Sequence, residues 1–136
     1  MGQYLTFRVG RQDFAIDAGR VRGLLPAQDV VPVEIPDSCI CGFASMHGRE
    51  FPVIDLRRKL RIAPALRAGL PYVVVVEEPQ LFGFVADRVS QIITLREQHI
   101  RNGMVRTNGR SRRVLDPGRL IDEAELISVW RPQLNP

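Results

Sequence analysis

Apolar and polar residues alternate with a period of two along several short stretches of the chain. Residues 4–9 and 13–17 both show this alternation, and residues 10–12 between them suit a tight turn. Residues 21–25 extend the pattern up to Pro26. The start of the chain therefore predicts a β-hairpin followed by a third strand.

The next part of the chain predicts further short strands and one short helix. The strands are expected at residues 30–33, 41–46 and 50–54, with a turn at residues 47–49. Pro32 has no amide hydrogen, so the first of these strands should lie at a sheet edge. Asp55 carries a side chain favoured at helix N-termini, which predicts a helix over residues 56–60.

The same pattern occurs twice in the chain. Residues 4–25 align without a gap to residues 72–93, at an offset of 72 − 4 = 68. The aligned positions with identical residues include Tyr4 and Tyr72, Phe14 and Phe82, Ala18 and Ala86, Arg20 and Arg88, Val21 and Val89. Residues 48–55 are echoed by residues 109–116. Two such units predict matching three-strand sub-structures in separate barrels, with a seam that favours binding.

The second half of the chain continues the all-β pattern. Four consecutive valines at residues 73–76 predict a strand buried on both faces. Residues 89–95 and 113–115 predict strands, Asp116 suits a cap before Pro117, and residues 122–130 predict a C-terminal helix. Phe14, Ile16 and Ile54 occupy the inward phase of their strands and are expected in the core of the first barrel.

Composition and charge are those of an ordinary globular domain of 136 residues, with 45% hydrophobic and 25% charged residues. No apolar run approaches the ~20 residues that span a bilayer, and the start of the chain does not resemble a secretory signal. A cytoplasmic protein without direct membrane insertion is therefore expected. The net charge of +4 permits nucleic-acid binding.

Candidate catalytic and metal-binding residues are few. Asp55 and Asp116 occupy equivalent repeat positions and could form a catalytic pair, but helix capping explains both. His47 lies in a turn without a nucleophile nearby in the sequence. Cys39 and Cys41 lack the two further ligands that a zinc site requires. We expect neither an enzyme nor a cofactor nor a metal.

Two basic clusters keep a nucleic-acid-binding barrel open as the alternative. They are Arg57-Arg58-Lys59 with Arg61, and Arg110 with Arg112 and Arg113. Binding of single strands usually adds exposed aromatic side chains that stack on bases. The candidates Phe7, Phe14, Phe51, Phe82 and Phe84 follow the inward apolar pattern. They are expected in the core, so nucleic acid is not expected as a partner.

Three segments resemble a known family. Residues 42–59, GFASMHGREFPVIDLRRK, resemble the CheW-like adaptor domain of bacterial chemosensory arrays, most strongly at PVIDLR. Residues 7–25 resemble the family's first hairpin and third strand, and residues 82–95 resemble its second-half hairpin. The resemblance extends from about residue 4 to residue 121.

The resemblance implies an all-β fold of two five-stranded barrels of the Src-homology-3-like type, packed side by side. The first barrel would span about residues 4–60, completed by a helix at about residues 122–130. The second would span about residues 72–121. Family members bridge the cytoplasmic tips of methyl-accepting chemoreceptors and the regulatory domain of the histidine kinase CheA. The resemblance thus implies a non-enzymatic cytoplasmic adaptor, recruited to membrane receptor arrays.

The resemblance also implies two binding surfaces. The receptor groove between the barrels would be lined by Val21, His47, Tyr72, Phe82, Gly83 and Ile92. The kinase-facing surface would include Val30, Glu50 and Phe51. Family members usually have Asn-Leu-Arg-Gly where this chain has residues 45–48, and they often carry a glutamate at the position of Gly23. In the family, this glutamate and the arginine of the Asn-Leu-Arg-Gly segment can pair near the groove. Both are absent from this chain, which avoids leaving one buried charge unpaired.

Overall fold

The computed structural model describes residues 1–64, 70–77 and 80–121, and it is almost entirely β-structure. The strands are β1 (Gly2–Val9), β2 (Gln12–Asp17), β3 (Val21–Pro26), β4 (Val31–Pro32), β5 (Ile40–Met46), β6 (Arg49–Ile54), β7 (Tyr72–Glu77), β8 (Leu81–Ala86), β9 (Arg88–Leu95), β10 (Met104–Thr107) and β11 (Arg110–Leu115). One α-helix, α1 (Leu56–Leu60), lies where the sequence predicts it. The all-β fold class is therefore confirmed.

The strands form two sheets that interleave along the chain. The first sheet has the order β10-β11-β2-β1-β9, and the second has the order β3-β7-β8-β6-β5-β4. The two sheets do not coincide with the predicted spans of residues 4–60 and 72–121, because each sheet takes strands from both halves of the chain. The predicted helix at residues 122–130 lies outside the described residues.

The internal repeat is visible as two hairpins, each followed by a third strand. The hairpin β1–β2 corresponds to β7–β8, and β3 corresponds to β9. The third strands are exchanged, because β3 pairs with β7 and β9 pairs with β1. Each predicted three-strand unit is thus divided between the two sheets. Hydrophobic periodicity cannot reveal this exchange, since either partner satisfies the same alternation.

The second echo of the repeat consists of the hairpins β5–β6 and β10–β11. Met46 pairs with Arg49, and Thr107 pairs with Arg110, so both loops have two residues. In the first loop His47 and Gly48 have φ values of 52° and 77°, and the second loop repeats this left-handed geometry. Such loops match the natural twist of a hairpin and favour glycine at the second position.

The core consists of three clusters. The largest contains residues of both sheets, and its centre is Phe7, whose ring lies 5.4 Å from that of Phe14 and 5.2 Å from that of Phe84. A second cluster belongs to the second sheet alone and a third to the first sheet alone. Side chains from both sheets therefore pack directly on one another.

The predicted core residues are buried, although one lies in the other sheet. Phe14, Ile16 and Ile54 are at most 1% exposed, which confirms their burial. Ile54 belongs to the second sheet and meets the other two in the shared cluster. The valines of β7 alternate between the shared cluster and the second sheet's own cluster, as a strand covered on both faces requires.

Candidate docking surfaces

Both third strands lie at sheet edges and contain a β-bulge at equivalent repeat positions. In β3, Arg22 has no opposite residue on β7. In β9, Ser90 and Gln91 lie opposite Thr6 alone. Bulges increase the local twist and redirect the side chains that follow. The exposed aliphatic side chains Leu24 and Ile92 follow these two bulges.

Leu24 and Ile92 are repeat equivalents and are 43% and 58% exposed. Both leave much of their apolar surface in contact with water, and their placement on two edge strands suggests a contact surface. The resemblance points to Ile92, whereas sequence reasoning missed Leu24. The ungapped offset of 68 could have identified Leu24, since it aligns with Ile92.

Thr6 fills the bulge of β9. Its side chain is fully buried, its hydroxyl donates to the Gln91 carbonyl oxygen at 2.9 Å, and the Gln91 N–H donates to the same hydroxyl at 3.2 Å. Both the N–H and the carbonyl oxygen of Gln91 therefore have a hydrogen-bond partner at the bulge. Thr6 holds the backbone from which Ile92 projects.

We expect Thr6→Val to lower the free energy of unfolding by about 1–3 kcal/mol, because it leaves two buried backbone groups without partners while keeping the side-chain volume. Urea denaturation would measure this loss. Thr94→Val, an exposed substitution on the same strand, is the matched control and should change stability by less than about 0.5 kcal/mol. Equal stability of both variants would contradict the role assigned to Thr6.

Val21 and Tyr72 are partly buried, in agreement with a position at the margin of a surface. Val21 packs against the shared core cluster from the start of β3. Tyr72 pairs with Pro26 across β3 and β7 and borders a hollow of about 210 Å³. Leu70, which is 77% exposed, lines the same hollow.

Phe82 and Gly83 do not line a surface, so their assignment to the groove is corrected. Phe82 is 0% exposed and belongs to the shared core cluster. Gly83 is buried, and a Cβ atom there would lie 2.5 Å from Cγ1 of Val73. Gly83 is therefore required for packing beneath the surface.

His47 is exposed in the β5–β6 turn, beside a small charge network at the same end of the second sheet. Glu77 accepts hydrogen bonds from both terminal nitrogens of Arg49, at 3.3 and 3.0 Å, and lies 3.7 Å from Nε of Arg22. The hydrogen bonds from Arg49 lower the pKa of Glu77, and the same interaction raises the pKa of Arg49. We call these three side chains the cationic rim, since two guanidinium groups share the one carboxylate of Glu77.

Gly23 faces Met46 at this rim. A Cβ atom at Gly23 would lie only 2.7 Å from the Met46 sulphur. The methionine thus occupies the space that a side chain on β3 would need. The two family positions that depart from the usual pattern, Gly23 and the 45–48 segment, are therefore neighbours in the structure.

A second candidate surface is a cleft at the outer edge of the second sheet. It has a volume of about 480 Å³ and is lined by Asp29, Val31, Val33, Phe43, Ala44, Ser45, Gly48 and Glu50. Val31, on the two-residue edge strand β4, is 66% exposed. Sequence reasoning placed a short edge strand here because of Pro32 but did not identify Val31 as a surface residue.

The predicted kinase-facing residues differ in exposure. Glu50 is exposed and lines the cleft, and Val30 is partly buried next to it. Phe51 is 0% exposed and belongs to the second sheet's own cluster, so its assignment to this surface is corrected. A Cβ atom at Gly42 would lie 2.4 Å from Cγ1 of Val30, so the glycine allows β4 to approach β5.

The repeated aspartates act as caps, as the sequence predicts. Asp55 accepts hydrogen bonds from the backbone N–H groups of Arg57 and Arg58, and Asp116 accepts one from Gly118. Cys39 and Cys41 are not joined by a disulfide. Burial raises the pKa of the Cys41 thiol, and the nearby Asp55 carboxylate adds to the shift.

Residues 1–64, 70–77 and 80–121 contain neither a candidate metal site nor a candidate membrane-spanning helix. In this part of the chain, no group of three or more histidine, cysteine or carboxylate side chains could hold an ion. Within the same ranges, none of the helices combines the length and the apolar character needed to span a bilayer.

The first basic cluster takes part in the fold. Arg57 pairs with Asp87 at 2.6 Å, and Arg58 donates to the Ser38 carbonyl oxygen at 2.9 Å. The predicted burial of the five phenylalanines is confirmed at 0% exposure: Phe7, Phe14, Phe51, Phe82 and Phe84. None of these five rings can stack on a base.

Comparisons with known proteins agree with this architecture. The profile of the family described as "CheW-like domain" matches residues 3–125. Chemotaxis protein CheW of Treponema pallidum is 24% identical over 74% of this chain. The match covers 62% of the length of the Treponema protein. Chemotaxis protein CheW of Thermotoga maritima is also 24% identical, over 89% of this chain and 88% of its own length.

A solved structure shows the same fold. The scaffolding protein TtCheW from Thermoanaerobacter tengcongensis superposes with a TM-score of 0.77, at 20% identity, over 89% of this chain and 88% of its own. The prediction of two small barrels of the Src-homology-3-like type is therefore confirmed as a fold, with the strand exchange described above. From the profile match over nearly its whole length, the chain belongs to the CheW-like domain family.

Proposed function

We propose that this protein is a non-enzymatic scaffold in a bacterial chemosensory pathway, coupling a chemoreceptor to a CheA-type histidine kinase. The family match over residues 3–125 carries this proposal. Relatives named for chemotaxis and a structural neighbour named as a scaffolding protein support it. The protein would act in the cytoplasm, recruited to membrane receptor arrays by its partner and without inserting in the bilayer.

The receptor tip would dock on the exposed edge strands. The proposed contact residues are Leu24 and Ile92, with Val21 and Tyr72 at the margin and His47 at the cationic rim. Phe82 and Gly83 would support this surface from beneath. A few aliphatic and aromatic anchors usually provide most of the energy of such an interface. A helical receptor tip that buries these side chains would bind mainly through the hydrophobic effect.

The kinase would dock on the cleft at the other edge of the second sheet. Val31 would be the apolar anchor and Glu50 a charged contact at its border, with Val30 next to the cleft. This cleft and the receptor surface involve different residues, so one molecule can bind both partners at once. That separation is what a scaffold requires.

The proposal can be tested with purified components from the same genome. Isothermal titration calorimetry would measure binding of this protein to cytoplasmic receptor-tip fragments and to the regulatory domain of a CheA-type kinase. We expect both to bind, and a ternary complex to elute as one species in size-exclusion chromatography. Binding to neither class of partner would overturn the proposal. The alternative would be supported if the protein instead bound nucleic acid with an affinity that falls steeply as the salt concentration rises.

We expect Val31→Lys to weaken binding of the kinase domain about tenfold or more, because the new charge must be desolvated in the interface. Val31 is 66% exposed, so folding should be preserved, as circular dichroism would show. Binding of the receptor fragment should stay unchanged. An equal loss of both partners would contradict the separation of the two surfaces.

A further inference from the structure

Between the described strands β1 to β11, the chain passes from one sheet to the other at two places. The first crossing is the 3₁₀ turn Ala18–Arg20, between β2 and β3. The second is a single residue, Asp87, since β8 ends at Ala86 and β9 begins at Arg88. A connection of one residue restricts the position of β9 only if that residue is itself held in place.

Asp87 is held from both sheets. Its backbone N–H donates to the Arg8 carbonyl oxygen at 2.9 Å, and its Oδ2 accepts from the Gly10 N–H at 2.7 Å, both in the β1–β2 hairpin of the first sheet. Its Oδ1 accepts from Nη2 of Arg57 at 2.6 Å. Arg57 lies on α1, which directly follows β6 of the second sheet.

The burial of this pair makes it sensitive to the loss of either charge. Asp87 is 7% exposed, and the side chains of Asp87 and Arg57 are 10% and 22% exposed. Removing one partner of a buried pair leaves the other charge without compensation, which costs far more than losing an exposed pair. Both oxygens of the Asp87 carboxylate are engaged, so no neutral side chain of this size can replace it.

An ion pair also lies at the first crossing, but it is exposed. Arg20 lies 3.4 Å from Asp116, and the two side chains are 37% and 54% exposed. Exposed pairs of this kind contribute little. The fold therefore contains two related crossings, of which one has a buried ion pair and the other a solvated one. This contrast supplies a matched control.

We propose that Asp87 and Arg57 form a clasp that fixes the start of β9, and with it the docking position of Ile92, against the second sheet. Asp87 is thus a positioning residue, five positions before Ile92 and separated from it by residues 88–91, which include the bulge. The effect on docking rests on the proposed function, whereas the clasp itself does not.

Hydrogen exchange measured by NMR would test the clasp without any partner. In Asp87→Asn, one acceptor oxygen must replace two, so we expect the amides of Gly10 and residue 87 to exchange about tenfold faster or more. Amides of the β7–β8 ladder serve as the internal reference and should change far less. Asp116→Asn keeps the capping oxygen and removes the charge, and it should change neither set.

Uniform acceleration of both sets in Asp87→Asn would overturn the clasp, because it would indicate a general loss of stability. Unchanged exchange at Gly10 would also overturn it. If Asp87→Asn does not fold, Arg57→Met keeps the aliphatic stem without the guanidinium, and the same local pattern is expected. A uniform or absent effect in that variant would overturn the proposal as well.

Affinity for the receptor-tip fragment tests the positioning step. We expect Asp87→Asn to bind about fivefold more weakly than wild type and Asp116→Asn to bind equally well. Local loosening with unchanged affinity would overturn the positioning role and leave the clasp. If the wild-type protein binds no receptor fragment, the proposed function fails, and the exchange measurements still decide the clasp.

Discussion

Replacing Phe14 by alanine is expected to lower the free energy of unfolding by about 3–5 kcal/mol. Phe14 is 0% exposed, its ring stacks on Phe7 at 5.4 Å with an interplanar angle of 13°, and it belongs to the cluster shared by both sheets. The cavity would lie where the two sheets pack on one another. Neither sheet can fill this cavity by rearranging alone, because the opposite wall of the cavity belongs to the other sheet.

Urea denaturation followed by circular dichroism would measure this loss. Phe14→Leu is the matched control, since it keeps much of the apolar volume and should cost clearly less than the alanine variant. A loss below about 1 kcal/mol for Phe14→Ala would contradict its place in the shared core.

Replacing Ile92 by lysine is expected to weaken binding of the receptor-tip fragment about tenfold or more, equivalent to about 1.4 kcal/mol. Ile92 is 58% exposed on edge strand β9, so lysine can be solvated in the free protein. In the complex the ammonium group would have to lose its water in an apolar contact. Folding should therefore be nearly unchanged while affinity falls.

Calorimetric titration of wild type and Ile92→Lys would measure the difference, with circular dichroism as the folding control. Met104→Lys is the matched control. Met104 is 42% exposed on β10, at the opposite edge of the same sheet, so it undergoes the same change of chemistry away from the proposed surface. Equal binding of a cognate fragment by wild type and Ile92→Lys would remove β9 from the receptor surface.

The two departures from the family pattern bear on which receptor binds. Gly23 leaves room for Met46, and in the nearby cationic rim Arg22 and Arg49 both pair with the Glu77 carboxylate. A receptor tip suited to this rim would present apolar or acidic side chains to it. The aliphatic residues of β3 and β9 do not depend on that substitution.

Local patterns in the sequence predicted most of the strands, the turns and the caps, but they did not predict β10 at Met104–Thr107. The helix α1 with its Asp55 cap, the two-residue turn at His47-Gly48 and the doubly buried valines of β7 all follow from periods and residue types within a few positions. Hydrophobic periodicity, turn chemistry and capping act between near neighbours, so a single sequence contains them. The repeat at offset 68 also indicated two related sub-structures.

Tertiary structure alone decided which strands share a sheet and which apolar residues are exposed. In the exchange of β3 and β9, each strand pairs with residues more than 45 positions away in the sequence, as Leu24 does with Val74. The alternation of apolar and polar residues would be satisfied equally well by either partner strand. Phe82 and Ile92 both appeared as candidates for the groove, yet one is 0% and the other 58% exposed. Phe82 lies on a central strand covered on both faces, whereas Ile92 follows a bulge on an edge strand. The burial of a side chain depends on neighbours that are distant in the sequence. The sequence by itself could therefore identify apolar candidates but could not separate core residues from surface residues.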